Sequence, residues 1–279
     1  MISCIICSRQ PDIAPELRAN IDTTCGAEHE IVVIDNSQNT HSIFTAYNEG
    51  VRRAQGDILC FMHDDILFHT QDWGQRMAHH FTDETIGLIG FAGAHFMPAY
   101  PTYWWSSPFK SQYNLDHEDG VTEQFFFEFF RDELLADVVA CDGQCLFIPK
   151  SLFGDGKLQY DEKTYGNGFH FYDMDICMQV QTAGKRVCVC RDVLVEHNWN
   201  GHVAGGNAVF YAARDKFFNK WKHAFPMHRG LPDMPEYVFT RINYLYRDAY
   251  SAECARKSKA YRLGNAILKP FKKIRGLFS

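Results

Sequence analysis

Between residues 2 and 68 the sequence alternates short apolar runs with longer segments of helical pattern, and few folds accept that order. ISCIICS, EIVVIDNS and DILCFMHDDILF read as strands, and APELRANIDTT and SIFTAYNEGVRRAQ read as the helices between them. Strand, helix, strand, helix, strand implies a parallel α/β sheet. In such sheets ligands collect beyond the carboxyl ends of the strands. The polar residues expected there are Ser8 and Arg9 after the first strand, Asp35, Asn36 and Ser37 after the second, and His63, Asp64 and Asp65 at the end of the third.

A chain of 279 residues is long enough for one large domain with a full core, or for one domain with an appendage. Its 46% apolar and 22% charged residues exclude long disorder, collagen-like repeats and a disulfide-stapled miniprotein. The net charge of −6 argues against a general nucleic-acid binder, which is usually basic. That figure hides a split. Eight basic residues and no acidic ones follow Glu253, which leaves 20 basic against 34 acidic residues up to and including it. The apolar residues of this tail (Leu263, Ile267, Leu268, Phe271, Ile274, Leu277, Phe278) recur near helical spacing among the basic ones, a composition suited to an anionic membrane surface. No window reaches the 18 to 20 apolar residues of a spanning helix, and MISCIICSRQPD lacks the pattern of an export signal, so the expected location is the cytoplasm, with peripheral attachment at the inner face of the plasma membrane. The ten cysteines are scattered through strand-like runs and read as reduced, buried thiols. Cys4 and Cys7 form a C-x-x-C, but on a strand they face opposite sides and share no metal.

Residues 95–135 are dense in aromatics without clear periodicity and read as an insertion or an outer wall. DVVACDGQCLFIPKSLF reads as a strand pair, DMDICMQVQTAG as a helix stopped by Gly184, and KRVCVCRDVLVEH as a strand. FYAARDKFFNKWKHAF and residues 236–279 read as helical, the latter with a break at Pro270. The expected organisation is a domain over residues 1–225 and a basic helical appendage over 226–279.

Three acidic sites stand at element ends. Asp35 follows IVVI, where Asp-Asn-Ser is also ordinary turn chemistry. In Met62-His63-Asp64-Asp65, alternation puts His63 and Asp65 on one face and Asp64 on the other, and neighbouring acids at a buried edge repel without a cation. Mg²⁺ is typically held by one or two carboxylates together with substrate phosphates. The third is Asp173-Met174-Asp175, where capping a helix accounts for one acid and leaves the other over. His197 ends a strand before a glycine-containing loop and is a candidate metal or phosphate contact.

The succession EIVVIDNS, AYNEGVRRAQGDILCFMHDDI, CDGQCLFIPKSLF, YDEKTYGNGFHFYDMDICMQVQTAGKRV and VLVEHNWNG resembles the family 2 glycosyltransferases of GT-A fold, over roughly residues 2–202. The resemblance implies a Rossmann-like, mostly parallel sheet flanked by helices. It also implies an enzyme that moves a sugar, with inversion, from a nucleotide-diphosphate sugar, UDP-linked by family frequency, to a glycan or lipid-linked acceptor. Position by position, it assigns Ser8, Arg9, Asp35, Asn48, Asp57, His63 and Asp64 to the donor nucleotide. Asp65 and His197 fall to Mg²⁺ or Mn²⁺, Asp142, Gly143 and Trp199 to the acceptor side, and Asp173 to the catalytic base. The sequence departs from the pattern in four places. Cys-Ser-Arg ends the first strand where relatives have Pro-Thr-Tyr, His63 replaces the first aspartate of D-x-D, and Tyr172 replaces the acid before the base. No Q-x-x-R-W follows His197, and Phe218-Asn219-Lys220-Trp221 is a poor substitute, which argues against a processive synthase.

In the mechanism so implied, the metal neutralises the leaving diphosphate and Asp173 accepts the acceptor's proton. Trp104, Trp105 and Trp199 are candidates to stack on sugars, although large aromatics are core residues by default. The loop from Asn198 to Asn207 is a candidate lid over the donor. A nicotinamide dehydrogenase is excluded, because CSRQPD stands where G-x-G-x-x-G would be needed. The alternative is a non-catalytic nucleotide- or carbohydrate-binding relative that kept the fold.

Overall fold

The run Ile2–Ser8 is buried almost throughout, as a central strand of a covered sheet must be. In the computed structural model, which describes residues 1–118, 121–127, 133–154, 157–198 and 206–258, it forms β1. The chain continues through α1 (Pro15–Thr24), β2 (His29–Asp35), α2 (Ile43–Arg53), β3 (Ile58–Met62), β4 (Ile66–Phe68), α3 (Trp73–His80), β5 (Ile86–Gly90), β6 (Ala92–Ala94) and β7 (Phe96–Met97). It then forms β8 (Lys110–Glu118), β9 (Val121–Phe127), β10 (Leu135–Asp137), β11 (Ala140–Cys141), β12 (Cys145–Pro149), α4 (Glu162–Tyr165) and α5 (Tyr172–Thr182). The last elements are β13 (Arg186–Cys190), β14 (Val195–His197), α6 (Gly206–Trp221), β15 (Met227–His228) and α7 (Glu236–Lys257).

The first sheet has the order β10-β13-β5-β12-β3-β1-β2. It is parallel over β3-β1-β2 and β5-β13, while β12 and β10 run antiparallel to their neighbours. Its two faces carry separate cores. Ile5 packs with α2 and α5, whereas Cys4 and Ile6 pack with α1 and α3, which follows from side-chain alternation along a strand. Cys7 accordingly joins the opposite side from Cys4.

Four stretches differ from the expectation above. The third strand is interrupted at His63–Asp65, and β4 leaves for a second sheet of order β11-β6-β8-β14-β4. KRVCVCRDVLVEH likewise splits into β13 in the first sheet and β14 in the second. Part of the aromatic stretch 95–135 forms β7, β8 and β9, with β8 inside the second sheet. DVVACDGQCLFIPKSLF forms β10, β11 and β12, which pair with other strands instead of each other.

The segment after residue 221 is tied to the body. β15 pairs antiparallel with β7, and Phe239 of α7 stacks on His228 and lies against Phe96. Arg214 of α6, only 2% exposed, donates to both carboxylate oxygens of Glu253 at 2.8 Å. None of the described helices is long and apolar enough to cross a membrane.

Candidate active site

Where β3 ends, alternation sends neighbouring side chains to opposite sides. Asp64 turns toward β1, where its Oδ2 accepts from the Ser8 hydroxyl (3.3 Å) and the Arg9 N–H (3.4 Å). His63 and Asp65 turn the other way. β14 lies antiparallel to β4 with His197 opposite Ile66, and the Asn198 N–H donates to the Asp65 carbonyl at 2.9 Å. This pairing brings His197 Nε2 to 3.6 Å from Asp65 Oδ1, with His63 Nδ1 at 3.9 Å from the same oxygen. The three groups offer one donor atom each within 4.8 Å of one another.

This cluster fits a divalent cation. Asp65 Oδ1 is buried with no hydrogen-bond partner among the described residues, a costly state for a carboxylate unless a cation completes it. Burial holds Asp65 above the usual carboxylate range. Burial, reinforced by neighbouring His197, pushes His63 down to about 4, so its imidazole is neutral at pH 7, the form that binds metals.

The tautomer of His63 follows from its partner. His63 Nε2 lies 2.7 Å from the Tyr172 phenol oxygen, and the phenol O–H donates to the Gly143 carbonyl at 3.0 Å. With that proton committed, the phenol oxygen accepts from His63 Nε2–H and the lone pair of Nδ1 faces Asp65. A Cβ on Gly143 would overlap the phenol, so only glycine allows this contact.

Gly143 serves a second group through its N–H, which donates to Asp173 Oδ2 at 3.1 Å. Burial, together with the like charge of Asp142, pushes Asp173 up to about 7, a value suited to a general base near neutral pH. Asp142 is held by the Trp104 indole N–H and the Gln144 N–H, both at 2.9 Å. Asp175 is fully engaged elsewhere. It accepts from Tyr165, Gln179, Lys220 and Trp221 at 2.7 to 3.1 Å and anchors α6 beneath α5. Of the two acids, Asp173 is therefore the one left for chemistry.

A glycosyltransferase-like family model matches residues 1–221. The chain belongs to the glycosyltransferase-like family. Among solved structures, S. aureus TarS 1–349 in complex with UDP-GlcNAc is 13% identical, with 88% of this chain and 71% of that chain covered at a TM-score of 0.50. A197 from STIV is 13% identical over 71% of this chain and 86% of that one, at a TM-score of 0.42. GalNAc-T7 with UDP, GalNAc and Mn²⁺ is 10% identical over 94% of this chain and 57% of that one, at 0.48. No curated protein matches the chain. The fold of this glycosyltransferase-like protein is GT-A, shared with TarS.

Within that fold the expected donor residues divide. Ser8 and Asp35 are register partners at the carboxyl ends of β1 and β2, and Asp35 is exposed, its carboxylate held low by the Ser37 N–H. Arg9 is exposed beside them. Two of the expected residues lie away from the others. Asn48 spends its amide on the backbone of Tyr160 (2.8 and 3.0 Å), clamping α2 to the segment before α4. Gly50, also in α2, lets that helix approach β1, since a Cβ there would overlap Ile5. Asp57 sits at the amino end of β3 and pairs with the N-terminal amine at 3.4 Å, a strand length of roughly 16 Å from the carboxyl edge at about 3.3 Å per residue. Trp199 and most of the expected lid lie outside the described residues. Strand alternation had already put His63 on the face of Asp65, and the fold sets it within metal-donor distance of Asp65 and His197, whereas the resemblance had put it with the nucleotide; its hydrogen bond to Tyr172 was not anticipated. Its signal lay in two departures from the family pattern, which prove to be hydrogen-bonded to each other.

Proposed function

We propose that this protein is a metal-assisted, inverting glycosyltransferase that transfers a sugar from a UDP-sugar to a hydroxyl of a glycan or lipid-linked acceptor. One observation carries the reading: the Gly143–Tyr172 pair joins the two-histidine, one-carboxylate cluster directly to Asp173, a buried carboxylate of raised pKa. The TarS structure contains UDP-GlcNAc, which supports a UDP-linked donor. His63, Asp65 and His197 would hold the cation, and two imidazoles beside one carboxylate favour Mn²⁺ over Mg²⁺, which prefers oxygen ligands. When bound, the metal supplies Lewis-acid stabilisation of the leaving diphosphate. Ser8, Arg9, Asp35 and Asp64 line the edge at which the nucleotide would rest. Asp173 takes the proton of the attacking hydroxyl at its carboxylate, and the Gly143 N–H keeps that carboxylate aimed. A single displacement inverts the anomeric centre without a covalent enzyme intermediate.

Hydrolysis and transfer measured over a panel of nucleotide sugars with Mn²⁺ test the reading. Turnover with a UDP-sugar is expected; binding of UDP without turnover of any donor would establish the non-catalytic relative instead. The pH profile adds a second check. The base must be ionised, so kcat/KM rises about tenfold per unit below pH 7 and levels above it. Asp142→Asn removes the like charge that disfavours ionisation and moves this acid limb to lower pH; an unmoved limb would show that Asp142 does not tune the base.

The cytoplasmic face of a membrane belongs to the same proposal. The basic tail beyond residue 258 lies outside the described residues, and its composition suits anionic lipid. The full chain should co-sediment with phosphatidylserine vesicles more strongly than a chain ending at Lys257. Equal partitioning would defeat membrane attachment through the tail.

A further inference from the structure

Trp104 and Trp105 are neighbours with opposite fates. Trp104 is 6% exposed, with its indole N–H committed to Asp142, whereas Trp105 is 46% exposed. Trp105 is nevertheless held in place. Its ring stacks on Tyr103 (centroids 4.3 Å apart, 23° between planes) and lies 5.7 Å from Phe210 of α6.

Two routes connect this platform to the proposed base. On one, Trp105 meets Trp104 edge to face (6.1 Å), Trp104 holds Asp142, and the next residue, Gly143, holds Asp173. On the other, Phe210 packs on Phe171 (5.2 Å), two residues before Asp173. Both supports are braced by α7. Asn243 accepts from the Ala99 N–H (2.8 Å), Tyr246 donates to the Ser106 carbonyl, and the Arg214–Glu253 pair ties α6 to the same helix. The platform is thus rigid before any ligand arrives, which lowers the ordering cost of binding.

We propose that Trp105, Tyr103 and Phe210 form an acceptor subsite that stacks against the apolar face of a pyranose ring. The inference rests on the transferase reading and names its acceptor as a glycan. A pyranose presents C–H groups on one face and hydroxyls around its rim. The aromatic surface suits the C–H face, and both packing routes lead from it to the Asp142 and Asp173 carboxylates, acceptors for hydroxyl protons. A lipid chain would gain nothing from those carboxylates, and an extended peptide would need paired backbone groups.

Saturation-transfer NMR of the full chain with a panel of methyl pyranosides and disaccharides tests the subsite without relying on turnover. At least one sugar should bind the wild type, with affinity reduced about tenfold in Trp105→Ala and largely kept in Trp105→Phe. Melting temperature should be the same in all three. No binding by any sugar, or binding unaffected by Trp105→Ala, would overturn the subsite. Donor hydrolysis separates the two readings. Its absence alongside Trp105-dependent sugar binding would sink the transferase reading alone, and its presence alongside an acceptor KM indifferent to Trp105→Ala would sink the subsite alone.

Discussion

Replacing Asp173 with asparagine lowers sugar transfer by about a thousandfold, the middle of the range for loss of a general base. The substitution is close to isosteric, and the amide oxygen still accepts from the Gly143 N–H that now binds Oδ2. What disappears is basicity, because an amide cannot take the proton of the attacking hydroxyl. Titration calorimetry with UDP and Mn²⁺ should give the wild-type affinity, since neither the metal donors nor the β1 and β2 ends are touched. The loss therefore falls in kcat. Unaltered turnover in Asp173→Asn would remove Asp173 from the mechanism, and a loss confined to donor affinity would reassign it to binding.

Tyr172→Phe is the second large effect, a fall of roughly 10- to 100-fold in Mn²⁺ affinity, as expected when a group that orients a metal-binding histidine is removed. The phenol accepts from His63 Nε2–H and donates to the Gly143 carbonyl. Without it the imidazole is free to rotate or to exchange tautomers, and Nδ1 no longer offers its lone pair reliably. Electron paramagnetic titration of Mn²⁺ reads this directly, and activity should recover at high metal concentration. A purely structural role predicts something else: a lower melting temperature from two unsatisfied buried groups, on the order of 1 to 3 kcal/mol, with metal affinity intact. That outcome would refute the positioning role.

These two residues show how unevenly the site was written into the chain. Asp173 could be picked out by spacing and resemblance, because the acid before an amphipathic helix is a local pattern. The resemblance picked it over Asp175, and the fold alone shows that Tyr165, Gln179, Lys220 and Trp221 occupy Asp175. The facing of His63 and Asp65 was also legible, since alternation along a strand is local. The partnership of His63 with Tyr172 spans 109 residues, and no pattern within either segment implies it. Asn48 and Asp57 show the complementary case. Their motif positions are real, but the amide is spent on Tyr160 and the carboxylate points off the wrong end of β3.

The alternation of apolar and helical segments by itself determined the α/β class, the parallel β1-β2-β3 core and the strand ends at which ligands collect, because each depends on periodicities of a few residues. It did not determine that β3 breaks at His63 so that β4 can enter a second sheet, or that β14 pairs there to deliver His197 to Asp65. Those depend on ladders between segments more than a hundred residues apart, where the free energy lies in tertiary pairing and burial. The same holds for Trp104 and Trp105, adjacent and identical in sequence. Only the packing of α6 and α7 around their loop decides that one holds a carboxylate and the other faces outward.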